Sequence, residues 1–252
     1  MDNNTIPVII IDDTAVKRRG VCEFVNETPS LSLAGQASND VEATALIETI
    51  CQRESNNPTL ANWLVLSDLR LGHTNGVELG RALLEIAPGL RVVIYTQEPS
   101  WTLANEVLRC EYTRRGTPRR ATRDQPGLHG YALFSNMEPA YLVQIASAVV
   151  TRHATFIDNE VLTHLLSKLR GSRLTPRQEE CASLVAQGLS NDEIALRMGF
   201  LNAQGQPNMG PLENLVSELY AFFTIEGAPS DPGRRVLLAH AYEAYTGLRP
   251  SQ

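Results

Sequence analysis

Residues 64–72 read LVLSDLRLG. Leu64, Val65 and Leu66 have the continuous apolar character of a buried strand, yet the run leads straight into Asp68. Taking an uncompensated carboxylate out of water is costly. The stretch therefore predicts a strand that delivers its acid into a crevice, and the rest of the chain must say what else meets it there.

Segments of the same kind recur along the chain. VIIID (8–12), LSLAGQA (31–37), WLVLS (63–67), RVVIYT (91–96) and GYALF (130–134) read as strands. Between them, residues 14–27, 40–53, 76–88, 100–111 and 138–152 carry helical patterns. Near-continuous apolar strands alternating with helices imply a parallel sheet covered on both faces. The first 150 residues thus predict five βα units, a doubly wound five-stranded α/β domain. In such sheets ligands sit beyond the carboxyl ends of the strands. Asp12 and Asp13 end the first strand, Asp68 the third and Thr96 the fourth. If the first and third strands are neighbours, three carboxylates meet, and a hard divalent cation with oxygen ligands relieves their repulsion. Magnesium suits such a site because it uses few carboxylates and keeps waters for an incoming phosphate. One carboxylate then serves as nucleophile towards a phosphoryl group, and a hydroxyl donates a hydrogen bond. Any one of these residues alone is more often a helix cap or a structural group; their shared position at strand ends carries the reading.

After about residue 154 the style changes, and the chain reads helical to its end. FIDNEVLTHLLSKLRGSR reads as a linker containing a helix. In LTPRQEECASLVAQGLSNDEIALRMGF, Thr175 caps a helix with Pro176 at its first position, Gly188 stops it, and Ser190 caps the next. The predicted division is a sheet domain over 1–153, a helical linker over 154–171 and a small all-α domain over 172–252.

Composition narrows the classes. A chain that is 43% hydrophobic and 20% charged is an ordinary globular one. No apolar run approaches the roughly 20 residues that span a bilayer, and the start lacks the basic and apolar regions of a signal peptide. Cys22, Cys51, Cys110 and Cys181 are far apart and are expected to be reduced thiols of a cytoplasmic protein, with no membrane partner. The net charge of −6 argues against whole-chain affinity for nucleic acid.

In combination these motifs resemble a known family. VIIIDDTAVKRRGV, LVLSDLRLGHTNGVEL, VVIYT and GYALF are similar to the receiver domain of bacterial two-component response regulators. LTPRQEECASLVAQGLSNDEIALRMGF is similar to the first half of the LuxR/NarL-class helix-turn-helix, and the domain order is also that class's. The resemblance implies Asp68 as phosphoacceptor for a sensor histidine kinase. It also implies magnesium held by Asp12, Asp13 and Asp68, and Thr96 as switch hydroxyl. It further implies a transcriptional regulator rather than an enzyme, with DNA and a second copy of the chain as further partners.

The chain departs from that pattern in both domains. Phe134 stands where receivers end their fifth strand in a lysine, so a cation for the phosphoryl oxygens is missing there; phosphorylation is expected with weak coupling to a switch. Residues 109–123 add six arginines against one glutamate, a solvated loop or a docking surface. In the last domain LNAQGQPNMG lengthens the turn, and the following helix, expected over 211–226, offers Glu213, Glu218 and Glu226 and no cation. Leu212, Leu215, Val216, Leu219, Phe222 and Phe223 fall at helical spacing and read as core. Residues 172–252 hold six basic against nine acidic residues, a net of −3. Arg173, Arg177 and Arg197 are the candidate DNA contacts. The domain order favours a DNA-binding regulator; the acidic helix favours an adaptor that works through protein contacts.

Overall fold

The computed structural model describes residues 5–54, 60–108, 128–169, 172–227 and 232–247. The arginine-rich stretch 109–123 and Cys110 lie outside them. The chain divides into two compact units: one of residues 1–99, 106–108 and 123–158, the other of residues 100–105, 109–122 and 159–252.

The first unit is built on strands β1 (Ile6–Ile11), β2 (Leu31–Ala37), β3 (Leu64–Asp68), β6 (Arg91–Thr96), β7 (Gly130–Leu133) and β8 (Phe156–Ile157). They form one parallel sheet in the order β2-β1-β3-β6-β7-β8. A separate antiparallel pair, β4 (Arg70–Leu71) and β5 (Thr74–Asn75), turns the chain after β3, with Gly72 at φ +60°. Five strands were expected; β8 is the sixth. At two residues it is too short to leave any periodicity in the sequence, and it lies in what reads as a linker.

Helices α1 (Ala15–Asn26), α2 (Asp40–Arg53), α3 (Gly76–Ile86), α4 (Trp101–Leu108) and α5 (Pro139–Ala146) alternate with the strands. Their starts follow local chemistry. Asn39 accepts from the Glu42 amide at the head of α2, and Asn75 from the Val77 amide at the head of α3. Ser147–Thr151 continues α5 as a π-turn. One face of the sheet presents Val8, Ile10, Leu64, Leu66, Val93, Tyr95 and Ala132 to Val21, Cys22 and Val25 of α1 and Leu142 and Ile145 of α5. On the other, Gly80 of α3 lies so near Val92 that a Cβ there would be 3.0 Å from its methyl. Every residue of β3, Asp68 included, is buried. Burying each large aliphatic side chain is worth about 1.5–3 kcal/mol, which is why the sheet tolerates a charge only at its rim.

In the second unit α6 (Asn159–Lys168), α7 (Pro176–Ala186), α8 (Asn191–Arg197), α9 (Met209–Phe222) and α10 (Pro232–Gly247) pack together. It includes residues 100–105, where the Trp101 indole donates to the Phe223 carbonyl. Thr175 and Ser190 both form capping boxes, with Gln178 and Glu193 reaching back. Gly188, at φ +81°, ends α7. The expected long turn between α8 and α9 is a small hairpin. Leu201 bridges Pro207, and Asn202 Oδ1 accepts from the Gln204 and Gln206 amides. Helix α9 starts two residues before its expected place and stops at Phe222, not 226. Phe223 and Thr224 close it, Thr224 with φ +50°, so Glu226 lies past its end.

Cys22, Cys51 and Cys181 are free thiols. Among the described residues, no helix is long and apolar enough to cross a membrane.

Candidate functional site

Register assembles the site. β1 and β3 are neighbours with Ile11 opposite Ser67, so the next residues, Asp12 and Asp68, stand side by side at the carboxyl edge of the sheet. One carboxylate oxygen each from Asp12, Asp13 and Asp68 lies within 4.8 Å of the others. Asp12 is fully buried, Asp68 is 7% exposed, and Asp13 is open to solvent.

Each acid is held by donors. The Thr14 amide donates to Asp12 Oδ1 (2.7 Å), and the Tyr95 hydroxyl donates to Asp12 Oδ2 (2.6 Å). The Gly72 amide donates to Asp13 Oδ2 (2.8 Å), which ties the turn after β3 to the first acidic pair. Lys17, in the first turn of α1, places Nζ 3.6 Å from Asp68 Oδ2. Burial above all, and then the charge of Asp12, push the Asp68 carboxyl up from its ordinary value, with Lys17 pulling the other way. Burial, followed by the Asp12 charge, drives the Tyr95 phenol far above its ordinary value, so it stays a neutral donor. Gly76 has a steric reason to be glycine. A Cβ there would stand 2.0 Å from the Asp68 carbonyl oxygen, and α3 could not begin so close beneath the site.

The residues present fit a hard divalent cation. The donor set is all carboxylate oxygen, its members are close enough to share one ion, and Asp68 is buried without full compensation. A carboxylate so placed, with a cation to neutralise a phosphate, can act as a nucleophile towards phosphorus.

Thr96 ends β6, one strand from Asp68, and is 8% exposed; its hydroxyl accepts from the Glu98 amide (3.3 Å). Phe134 follows β7, its ring stacked near Tyr95 with centroids 6.0 Å apart. The structure therefore brings Asp12, Asp13 and Asp68 together, with Thr96 and Phe134 at the neighbouring strand ends. Arg173, Arg177 and Arg197 are exposed on separate elements of the second unit. Arg177 lies over the Phe200 ring, 4.6 Å from its centroid.

Two residues escaped the sequence reading. Tyr95 is the one ring in an aliphatic strand, a signal that was available. Lys17 is the only lysine before residue 168, but its nearness to Asp68 depends on a helix crossing a strand end and leaves no local pattern. In the second unit, Arg234 stacks 3.8 Å from the Tyr220 ring centroid and donates to the Ile225 carbonyl. Arg235 donates to Asn191 Oδ1 and the Leu189 carbonyl. Both are engaged inside the fold. The exposed residues of α9 include Glu213, Asn214, Ser217 and Glu218, with no cation among them.

No family model matches the chain. It is 29% identical over 229 residues to the DNA-binding transcriptional activator DevR/DosR of Mycobacterium tuberculosis, covering 88% of this chain and 89% of that one. It is 27% identical over 201 residues to the nitrate/nitrite response regulator NarL of Escherichia coli, covering 76% and 80%. Among solved structures, the RcsB response regulator of Salmonella typhimurium aligns over 94% of this chain and 97% of its own, with 19% identity and a TM-score of 0.45.

Proposed function

We propose that this chain, similar along most of its length to DevR/DosR and NarL, works as a two-component response regulator of the LuxR/NarL type in which Asp68 accepts a phosphoryl group. The observation that carries this is the approach of Asp12, Asp13 and Asp68 within 4.8 Å at adjacent strand ends, with Asp68 buried. Asp12, Asp13 and Asp68 would hold magnesium, which neutralises phosphoryl oxygens when bound. An Asp68 oxygen attacks phosphorus as the bond from phosphorus to the donor's nitrogen or oxygen breaks. The leaving group takes up a proton, and the product is an acyl phosphate. Tyr95 and the Thr14 amide keep Asp12 oriented throughout. The donor is a sensor histidine kinase in the cytoplasm. Incubation of the full chain with acetyl phosphate and magnesium should add one phosphoryl group by intact mass, and Asp68→Asn should add none. A wild type that stays unmodified while binding magnesium would contradict the reading.

The output is transcriptional regulation through DNA, as the name of the mycobacterial relative says of that protein. The cations available for it in the described residues of the second unit include Arg173, Arg177 and Arg197. The composition of α9 supports a second reading. An exposed face with Glu213 and Glu218 and no cation suits a protein partner, a second copy of the chain among them, better than a polyanion. A gel-shift screen with the protein's own upstream region separates the two: retention of that DNA over a random duplex supports regulation, and none supports the adaptor.

A further inference from the structure

We propose that Lys17 is the cation that meets the phosphoryl oxygens on Asp68, an assignment that rests on Asp68 being the phosphoacceptor. A phosphoryl group brings a charge of about −1.5 to −2 into a crevice that already holds three carboxylates. A cation beyond the metal is therefore needed where its oxygens emerge. Lys17 Nζ is 3.6 Å from Asp68 Oδ2, and the two side chains are only 24% and 10% exposed, so the pair is shielded from the screening that makes surface ion pairs weak.

Among the described residues, the neighbouring cations Arg18 and Arg70 are engaged elsewhere. Arg18 donates to the Asp12 carbonyl (2.5 Å) and to Gln36 Oε1 (3.2 Å), and Arg70 pairs with Glu98 (3.1 Å). Lys17 stands in the first turn of α1, where the helix dipole disfavours a positive charge and no acid of that turn offsets it. The charge at that position is balanced by the crevice acid Asp68, not by the helix.

Phe134 contributes to the same arrangement. Its ring centroid is 5.4 Å from Lys17 Nζ, and the ring stacks near Tyr95, whose hydroxyl donates to Asp12. The aromatic face holds the ammonium towards the acids by a cation–π contact. The lysine's flexible stem and three donors then let it close on phosphoryl oxygens as they arrive. The residue that leaves the strand end without a cation thus seats one supplied by α1.

The test is magnesium-dependent binding of beryllofluoride, a static phosphoryl mimic, by the full chain, followed by thermal shift. Magnesium affinity is measured alone in parallel. Lys17→Gln should lower beryllofluoride affinity at least about 10-fold, the scale of a lost charge-assisted hydrogen bond. Its magnesium affinity should hold or rise, because a positive neighbour of the metal has gone. Lys17→Arg should fall between, and adding Phe134→Lys to Lys17→Gln should recover affinity. Unchanged beryllofluoride affinity in Lys17→Gln would make Lys17 a mere counter-ion, and equal loss of both ligands would make it a folding residue. Either result overturns the assignment while the phosphoacceptor reading stands. A wild type that binds magnesium but no beryllofluoride overturns both.

Discussion

Ionising Asp68 carries a cost that its neighbours only partly relieve. Its carboxyl is pushed up by burial and by Asp12, so the folded chain keeps that proton to higher pH than the unfolded one. Its contribution to stability is full below the unfolded value near 3.9 and is lost as pH rises through the folded value. Without a divalent cation at neutral pH, Asp68→Asn should therefore raise the melting temperature. About 1 kcal/mol corresponds to roughly 2–4 °C in a chain of this size. Magnesium at ten times its dissociation constant should stabilise the wild type by about 1.4 kcal/mol and the variant far less. Calorimetry with and without magnesium checks both; a wild type indifferent to magnesium would leave the crevice without its ion. His129 behaves in the opposite sense. Burial first, then Arg91, lower its imidazole to about 4, and its Nδ1 accepts from the Val92 amide. The neutral ring's contribution is present above the unfolded value of about 6.5 and is lost as pH falls towards 4, at about 1.4 kcal/mol per pH unit at most. Urea midpoints at pH 7 and pH 5 should differ accordingly in wild type and differ less in His129→Gln.

Among the elements, the parallel strands were legible because burial on both faces forces apolar runs, and a strand-end acid interrupts such a run conspicuously. The caps of α7 and α8 were legible because Thr175 and Ser190 act through bonds to residues three away, while Pro176 and Gly188 act through their own backbone angles. What the chain does not advertise is contact across elements. Lys17 meets Asp68, and Tyr95 reaches past β3 to Asp12, through register and helix placement that no local spacing encodes. The hairpin at 200–208 was visible only as a lengthened, glycine-containing turn, since its bonds are few and its strands a residue long. The start of α3 offers a sharp test of how elements position the site. A methyl at Gly76 would stand 2.0 Å from the Asp68 carbonyl oxygen, so the helix or the strand end must move. Gly76→Ala should weaken magnesium binding at least about tenfold and cost about 1–3 kcal/mol, the scale of overpacking. Titration calorimetry with a melting curve reads both. For α9, Glu213→Lys should strengthen nonspecific DNA binding if that face approaches the polyanion, and change nothing if it meets protein.

The chain carries a net charge of −6, and its last 81 residues, 172–252, a net of −3. A chain of that sign binds DNA only where local cations outweigh the rest. If Arg173, Arg177 and Arg197 supply them, few phosphates are neutralised, and contacts to phosphate position a protein without specifying a sequence. The logarithm of affinity should then fall with the logarithm of salt at a slope of magnitude about 3 or less, close to 0.9 per phosphate neutralised. Tight, sequence-specific binding at physiological salt that Glu213→Ala destroys would instead make α9 an ordinary reading helix. Upstream of any DNA contact stands the proposal that the acid LVLSDLRLG carries to the sheet's edge takes the phosphoryl group. Treating the phosphodonor-exposed full chain with borohydride reduces an aspartyl phosphate to homoserine, and peptide mass spectrometry then locates the converted residue. Conversion is expected at position 68 alone, and only with magnesium present. Conversion at position 12 or 13, or none in a chain that binds magnesium, would contradict it.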